Sequence, residues 1–168
     1  IDLPLGAVTS PIYLEFARPE DTLGNSIRLE AENADSILNY RTEYISGVSG
    51  NKLLSLRGDT NTEQGSATFN YNGPTDTFDI VVGVFDENDG ITQFSAEFKE
   101  TETSTPTQIG SFDLAANLGS STANSQTLVR ATIASGVNLT SGNSINIMAA
   151  ENGGEPALFD YIELVPVI

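Results

Sequence analysis

Glu30-Ala31-Glu32 sets two carboxylates two residues apart in a run, Ile27 to Glu32, whose apolar and polar residues alternate. On a β-strand that spacing sends both acids to one side, about 7 Å apart. If the site is even partly buried, two like charges so close cannot both go uncompensated, and a divalent cation would neutralise them. Near the far end, Phe159-Asp160-Tyr161-Ile162-Glu163-Leu164 puts Asp160 in phase with Leu158, Ile162 and Leu164, so strand alternation aims an acid inward among apolar side chains. Taking an isolated carboxylate out of water is costly, and Asp160 therefore needs a partner, either Arg28 or a metal ion. Spacing alone equally allows Glu30, Glu32 and Asp160 to be solvated or salt-bridged.

Two other stretches combine reactive side chains. Asn39-Tyr40-Arg41-Thr42-Glu43-Tyr44 mixes aromatic and polar residues, the mixture a sugar site uses when a ring stacks on a pyranose and polar groups bind its hydroxyls. Tyr40 is the platform candidate and Tyr44 its reserve, although either ring suits a core as well. Arg41 there would favour carboxylated or sulfated glycans. Asp86-Glu87-Asn88-Asp89-Gly90 is a second acidic cluster. It is no EF-hand loop, because Gly90 occupies a ligand position and the distal glutamate is missing. It reads as a solvated turn, or as a rim loop whose Asp86 and Asp89 accept hydrogen bonds from a sugar or hold a second calcium.

Composition narrows the chemistry further. The 168 residues carry 23 acidic and 7 basic side chains, a net charge of -16, with no cysteine and no histidine. That field repels phosphate backbones and anionic lipid surfaces, so nucleic acid is a poor partner, while the carboxylates suit hard cations such as calcium. Thiol nucleophiles, disulfides, thiolate zinc sites and imidazole bases are absent. A carboxylate pair cleaving a glycosidic bond is the catalytic option left. Glu43, Asp86, Asp89 and Glu155 are its candidates, and no spacing selects two of them. No apolar run is long enough for membrane insertion.

The elements that must position these residues read as β throughout. Alternation recurs at Ala67-Phe69-Tyr71, Phe78-Ile80-Val82-Val84, Phe94-Ala96-Phe98, Val129-Ala131-Ile133 and Ile145-Ile147-Ala149. Further strands are expected at Lys52 to Leu56, Ile109 to Leu114 and Leu158 to Val165. Turn signals stand at Asn72-Gly73-Pro74, Asn88-Asp89-Gly90, Ser141-Gly142-Asn143 and Asn152-Gly153-Gly154. About ten strands in two antiparallel sheets make an all-β sandwich of jelly-roll type. Residues 1–25, with Pro4, Pro11 and Pro19, read as an N-terminal extension or interdomain linker with one strand near Ile12 to Phe16. Residues 26–168 form the domain, in which Thr101 to Thr107 is a loop between strands.

Leu29-Glu30-Ala31-Glu32-Asn33, the turn Gly47-Val48-Ser49-Gly50-Asn51-Lys52 and the last strand Asp160-Tyr161-Ile162-Glu163-Leu164 together resemble carbohydrate-binding modules of families 6 and 35. The resemblance spans about Ser26 to Pro166. It implies a galactose-binding-like β-sandwich in which Glu30, Glu32 and Asp160, with backbone carbonyls, hold a structural calcium that clamps the two ends of the domain. It also implies a ligand-binding role for Glu43, and it turns attention to the loop from Ala150 to Pro156, where Asn152 and Glu155 are the polar candidates. Two positions depart from the family pattern: Leu158 stands where a sugar-contacting asparagine is usual, and the chain has no tryptophan.

The expectation is therefore a non-catalytic, calcium-binding module, secreted or on the cell surface and part of a larger multidomain protein, that targets its parent to a polysaccharide or oligosaccharide. The alternative is a calcium-stiffened spacer or adhesion domain without glycan affinity.

Overall fold

A computed structural model of the chain describes residues 26–56, 63–152 and 154–168. The extension at residues 1–25, with the strand expected near Ile12 to Phe16, lies outside these residues. Eleven strands follow in order: β1 (Ile27–Glu30), β2 (Ser36–Leu38), β3 (Arg41–Tyr44), β4 (Lys52–Leu56), β5 (Gln64–Asn70), β6 (Asp76–Phe85), β7 (Thr92–Lys99), β8 (Thr107–Leu114), β9 (Leu128–Leu139), β10 (Ser144–Ala150) and β11 (Ala157–Pro166). They form two antiparallel sheets, one in the order β3-β4-β11-β6-β9 with β1 also on β11, the other β2-β5-β10-β7-β8. The all-β sandwich expected from alternation is what the chain adopts.

Period-two patterning explains the core. Ala67 and Phe69 of β5, Phe94 and Ala96 of β7, and Ile145, Ile147 and Ala149 of β10 are buried from one sheet. They meet Leu54, Leu56, Phe78, Ile80, Val82, Val84 and Phe159 of the other. Rings close the layer edge to face, Phe69 to Phe159 at 6.1 Å and Phe94 to Phe159 at 6.3 Å between centroids. A smaller cluster of Leu53, Phe85, Ala123 and Leu158, with Ile45 and Val48 packed on it, lies on the outer face of the β11 sheet.

Two expectations need correction. The acids of Glu30-Ala31-Glu32 do not share a strand, because β1 ends at Glu30 and Ala31–Asn33 turns as a 3-10 helix around the fully buried Ala31. Nor does Leu158 face the same way as Ile162 and Leu164. The register of β11 on β6 shifts between Phe159 and Tyr161, a bulge that puts Phe159, Ile162 and Leu164 in the main core and Leu158 in the outer cluster. Asp160 is the residue at that irregularity.

Candidate functional site

The bulge coincides with a change of neighbour. β4 pairs with β11 at Ala157 to Phe159, and β1 takes over on the same edge from Tyr161 to Leu164. Asp160 therefore sits at the junction, Glu30 ends its strand opposite Tyr161, and the turn entering β4 closes over both. Ser49 of that turn donates its backbone N–H to Asp160 Oδ2 at 3.1 Å and its hydroxyl to Glu30 Oε1 at 2.7 Å. Gly50, at φ 59°, lies beside Glu32, whose Oε1 would be 3.3 Å from any Cβ there. One short turn thus touches all three carboxylates, and a side chain at Gly50 would meet both a left-handed backbone and the acid.

Electrostatics make this cluster unfinished. Glu30 Oε2, Glu32 Oε2 and Asp160 Oδ1 are buried without a hydrogen-bond partner. Burial pushes the Asp160 carboxyl up to about 6; the Ser49 N–H and Arg28 pull it back, and Glu30 and Glu32 push it further up. Natural proteins rarely leave buried oxygens unsatisfied, so orphaned atoms on three neighbouring acids call for a positive partner. Arg28 does not fill that role: it lies over the Tyr161 ring, 4.0 Å from the centroid, and bonds Glu163 at 3.2 Å, which Arg130 also holds at 2.7 Å. Burial raises the Glu163 carboxyl, but the two guanidiniums outweigh it and hold it below its usual range. Glu30, Glu32 and Asp160 supply hard oxygen donors of the kind calcium takes. No three acidic side chains among the described residues stand in a ready-made metal-holding group, so the fit rests on the orphaned oxygens.

The remaining candidates scatter. Tyr40 is half-buried against the core, its ring lies where a Cβ on Gly65 would be 2.8 Å away, and its hydroxyl is buried with no partner. Burial drives that phenol far above its ordinary range, and the ring packs against Gly65 and the core. Arg41 is paired with Glu43 at 2.8 Å on the exposed edge strand β3. Tyr44, 80% exposed, stands on the same strand near Lys52. Asp86 is buried and accepts the backbone N–H groups of Ala116 and Asn117, both at 3.0 Å. Glu155 is fully buried and accepts those of Glu87 and Thr92, both at 2.9 Å, while burial pushes its carboxyl up to about 7. Asp86 and Glu155 brace loops, and Asp89 and Asn152 are exposed near them. Of the four acids considered for catalysis, Glu43 lies apart on β3, while Asp86, Asp89 and Glu155 are neighbours of which Asp86 and Glu155 are tied to backbone N–H groups.

A surface that alternation implied without marking does form a groove. The outward residues of β5, β10 and β7 line up in cross-strand rows: Gln64, Ala150 and Gln93; Ser66, Met148 and Ser95; Thr68, Asn146 and Glu97; Asn70, Ser144 and Lys99. Three adjoining cavities of about 400, 320 and 690 Å³ follow these rows. The first adds Ile91, Asp113 and Asn152, the second Leu38 and Asn39, and the third Asp35, Asn72 and Glu102. Together they make a polar groove along the strands, with amides and hydroxyls predominating and no aromatic ring among the described residues that line it. Of the seven ligand candidates read from the sequence, Asn152 is the one that lines it. The others could not be sorted from solvated or structural residues by type alone, and the groove residues carry only the polar half of an ordinary strand pattern.

No family profile and no curated protein matches this sequence. Solved structures do match it. A family 35 carbohydrate-binding module from Clostridium thermocellum superposes with a TM-score of 0.55 at 17% identity, over 86% of this chain and 100% of its own. The C-terminal family 6 module of LamC, a marine laminarinase from Zobellia galactanivorans, gives 0.53 at 16% identity, over 84% and 99%. The chain folds as carbohydrate-binding modules of families 6 and 35 do. The same fold is a part of larger proteins: a Bacillus thuringiensis Cry1Da tryptic core variant matches with a TM-score of 0.57 at 13% identity, over 83% of this chain and 23% of its own. An exo-β-1,3-galactanase from Phanerochaete chrysosporium matches at 0.53 and 17%, over 84% and 29%. This chain spans about a quarter of the length of those two proteins. At these identities the likeness is one of fold, and function has to be argued from the site.

Proposed function

We propose that the protein is a non-catalytic carbohydrate-binding module whose glycan lies in the polar groove of the β2-β5-β10-β7-β8 sheet. The observation that carries this reading is the groove itself: consecutive rows of amide, hydroxyl and carboxylate groups along rigid strands, as an extended polyhydroxylated chain requires. The fold, shared with stand-alone modules of families 6 and 35, supports it. The non-catalytic reading is supported by Glu43, Asp86 and Glu155 each being engaged in an ion pair or in backbone hydrogen bonds.

A structural calcium belongs to the same proposal. Glu30, Glu32 and Asp160 would hold it, with Ser49 orienting two of the three carboxylates. The ion supplies charge neutralisation at the junction of β1, β4 and β11. The module would act outside the cell or at its surface, within a larger protein that it targets to a polysaccharide.

Soluble oligosaccharides titrated into the protein with and without calcium test the proposal. Binding that is abolished by Ser95→Arg, which fills the groove, and retained in Arg41→Ala is the expected result. Binding unaffected by Ser95→Arg would remove the groove from consideration. Calcium-dependent stability without any glycan affinity would favour the spacer reading, which the buried acid cluster supports on its own.

A further inference from the structure

The central cavity of the groove, about 320 Å³, is of a size to hold one sugar unit. Its floor is unusual for a glycan site. Leu38, 60% exposed at the rim, and the half-buried Met148 are its large apolar side chains, and among the described residues no ring lines it. The broad apolar face of an unsubstituted pyranose is best met by an aromatic plane. An isobutyl group beside a pliable thioether instead makes a cleft for a methyl group.

The polar groups around that floor are disposed for an amide. Asn39 already donates from Nδ2 to the Gln64 carbonyl at 2.8 Å, and Gln93 from Nε2 to Asp113 at 3.0 Å. With one N–H of each amide so engaged, the carbonyl oxygens of Asn39 and Gln93 are left to accept, as an amide N–H requires. Ser66 and Ser95 flank Met148 in the same cross-strand row and bring hydroxyls that can donate to an amide carbonyl. Among the described residues no cation lines this cavity, and a uronate or sulfate would enter it unpaired by them, within a chain of net charge -16.

From this we infer that the groove selects uncharged glycans bearing N-acetyl groups, seating an acetamido methyl on Leu38 and Met148 while the flanking hydroxyls and amide carbonyls bind its C=O and N–H. The inference rests on the groove being the glycan site, and it deepens that reading by naming the substrate class.

The test compares β-1,4-linked hexamers that differ at the sugar's second carbon: N-acetylglucosamine, its deacetylated form and glucose. Calorimetric titration is expected to find the N-acetylated hexamer about tenfold tighter than the glucose hexamer, from one buried methyl plus its amide hydrogen bonds. The deacetylated hexamer, a polycation drawn to a chain of net charge -16, is titrated at high salt to screen that attraction, and there it should lose the advantage. Leu38→Asn and Met148→Gln, both on the open face, should bring the two neutral ligands to within about twofold of each other. Ser95→Arg should abolish binding of both. If the glucose hexamer binds as well as the N-acetylated one and Ser95→Arg still blocks it, the substrate class is wrong while the groove stands. If no hexamer responds to Ser95→Arg, the groove reading falls and takes this inference with it.

Discussion

Asp160 and Glu155 both lie near the start of the last strand, both are cut off from water, and burial raises the carboxyl pKa of both. Their surroundings differ in one respect. Each oxygen of Glu155 receives a backbone N–H, from Glu87 and from Thr92, and the Thr92 hydroxyl bonds back to the Glu155 carbonyl. Asp160 has one oxygen satisfied by Ser49 and the other orphaned, facing two more acids with orphaned oxygens of their own. Glu155 also has the Asp86 charge beside it, which pushes its carboxyl further up, yet with a backbone N–H on each oxygen it serves as a brace between loops. Asp160, with one oxygen orphaned among like charges, lacks that balance. Burial and shifted ionisation mark both residues; the balance of donors to acids separates their roles.

The comparison breaks most visibly at Glu155. Glu155→Ala strands two backbone donors at a cost of about 2–5 kcal/mol, lowering the melting temperature on the order of 10 °C. The response to calcium should be unchanged, and a variant that lost it would merge the two sites. Calcium comes next. At a hundredfold excess over its dissociation constant it should stabilise the wild-type protein by about 2.7 kcal/mol, or roughly 5–10 °C by calorimetry. Asp160→Asn should abolish that shift, and a chelator-treated protein whose melting point ignores added calcium would remove the ion from the account.

The pH dependence is smaller and has a definite sign. Asp160 and Glu155 have folded values near 6 and 7, above those of unfolded carboxyls. Each therefore favours the folded state fully below its unfolded value, and that contribution is lost as pH rises through the folded one. Calcium-free protein should be more stable at pH 5 than at pH 8. Asp160→Asn should flatten the profile around pH 6, by an amount of order 1–3 kcal/mol. Calcium reverses the Asp160 part, since the ion binds the charged form: its stabilisation should grow as pH rises through 6. A calcium effect equal at pH 5 and pH 8 would mean that Asp160 is not a ligand.

Much of the fold was legible because buried strands write their period into the chain. Phe78-Ile80-Val82-Val84 and Ile145-Ile147-Ala149 could hardly be anything else, and both lie in strands with that face buried. β2 and β3 escaped because Ser36–Leu38 is exposed throughout and Arg41–Tyr44 nearly so, leaving no apolar period to read. The bulge at Asp160 escaped for the opposite reason: Leu158, Ile162 and Leu164 are all buried, in two different cores, so burial gave no sign of the break in phase. The acids Glu30, Glu32 and Asp160 were legible by type, but the serine that orders two of them was not singled out within its turn. The groove was hidden because Ser66, Thr68, Ser95 and Asn146 look like the solvent face of any strand until the sheet lines them up.

Arg41 sharpens the comparison from its weak end. Its guanidinium bonds Glu43 at 2.8–2.9 Å, but its side chain is 58% exposed, on the edge strand of the sheet that does not carry the groove. Water screens such a pair and both side chains lose freedom to form it, so Arg41→Ala should change stability by less than about 1 kcal/mol. Affinity for any glycan should stay within about twofold, because the guanidinium neither lines a groove cavity nor approaches the acid cluster. The same substitution would be costly if Arg41 recognised a uronate or sulfate, since a bidentate charge-assisted contact is among the strongest a sugar site can make. A loss of anionic-glycan binding in Arg41→Ala, with neutral ligands unaffected, would therefore relocate the site to β3 and turn the most ordinary ion pair on the surface into the one that matters.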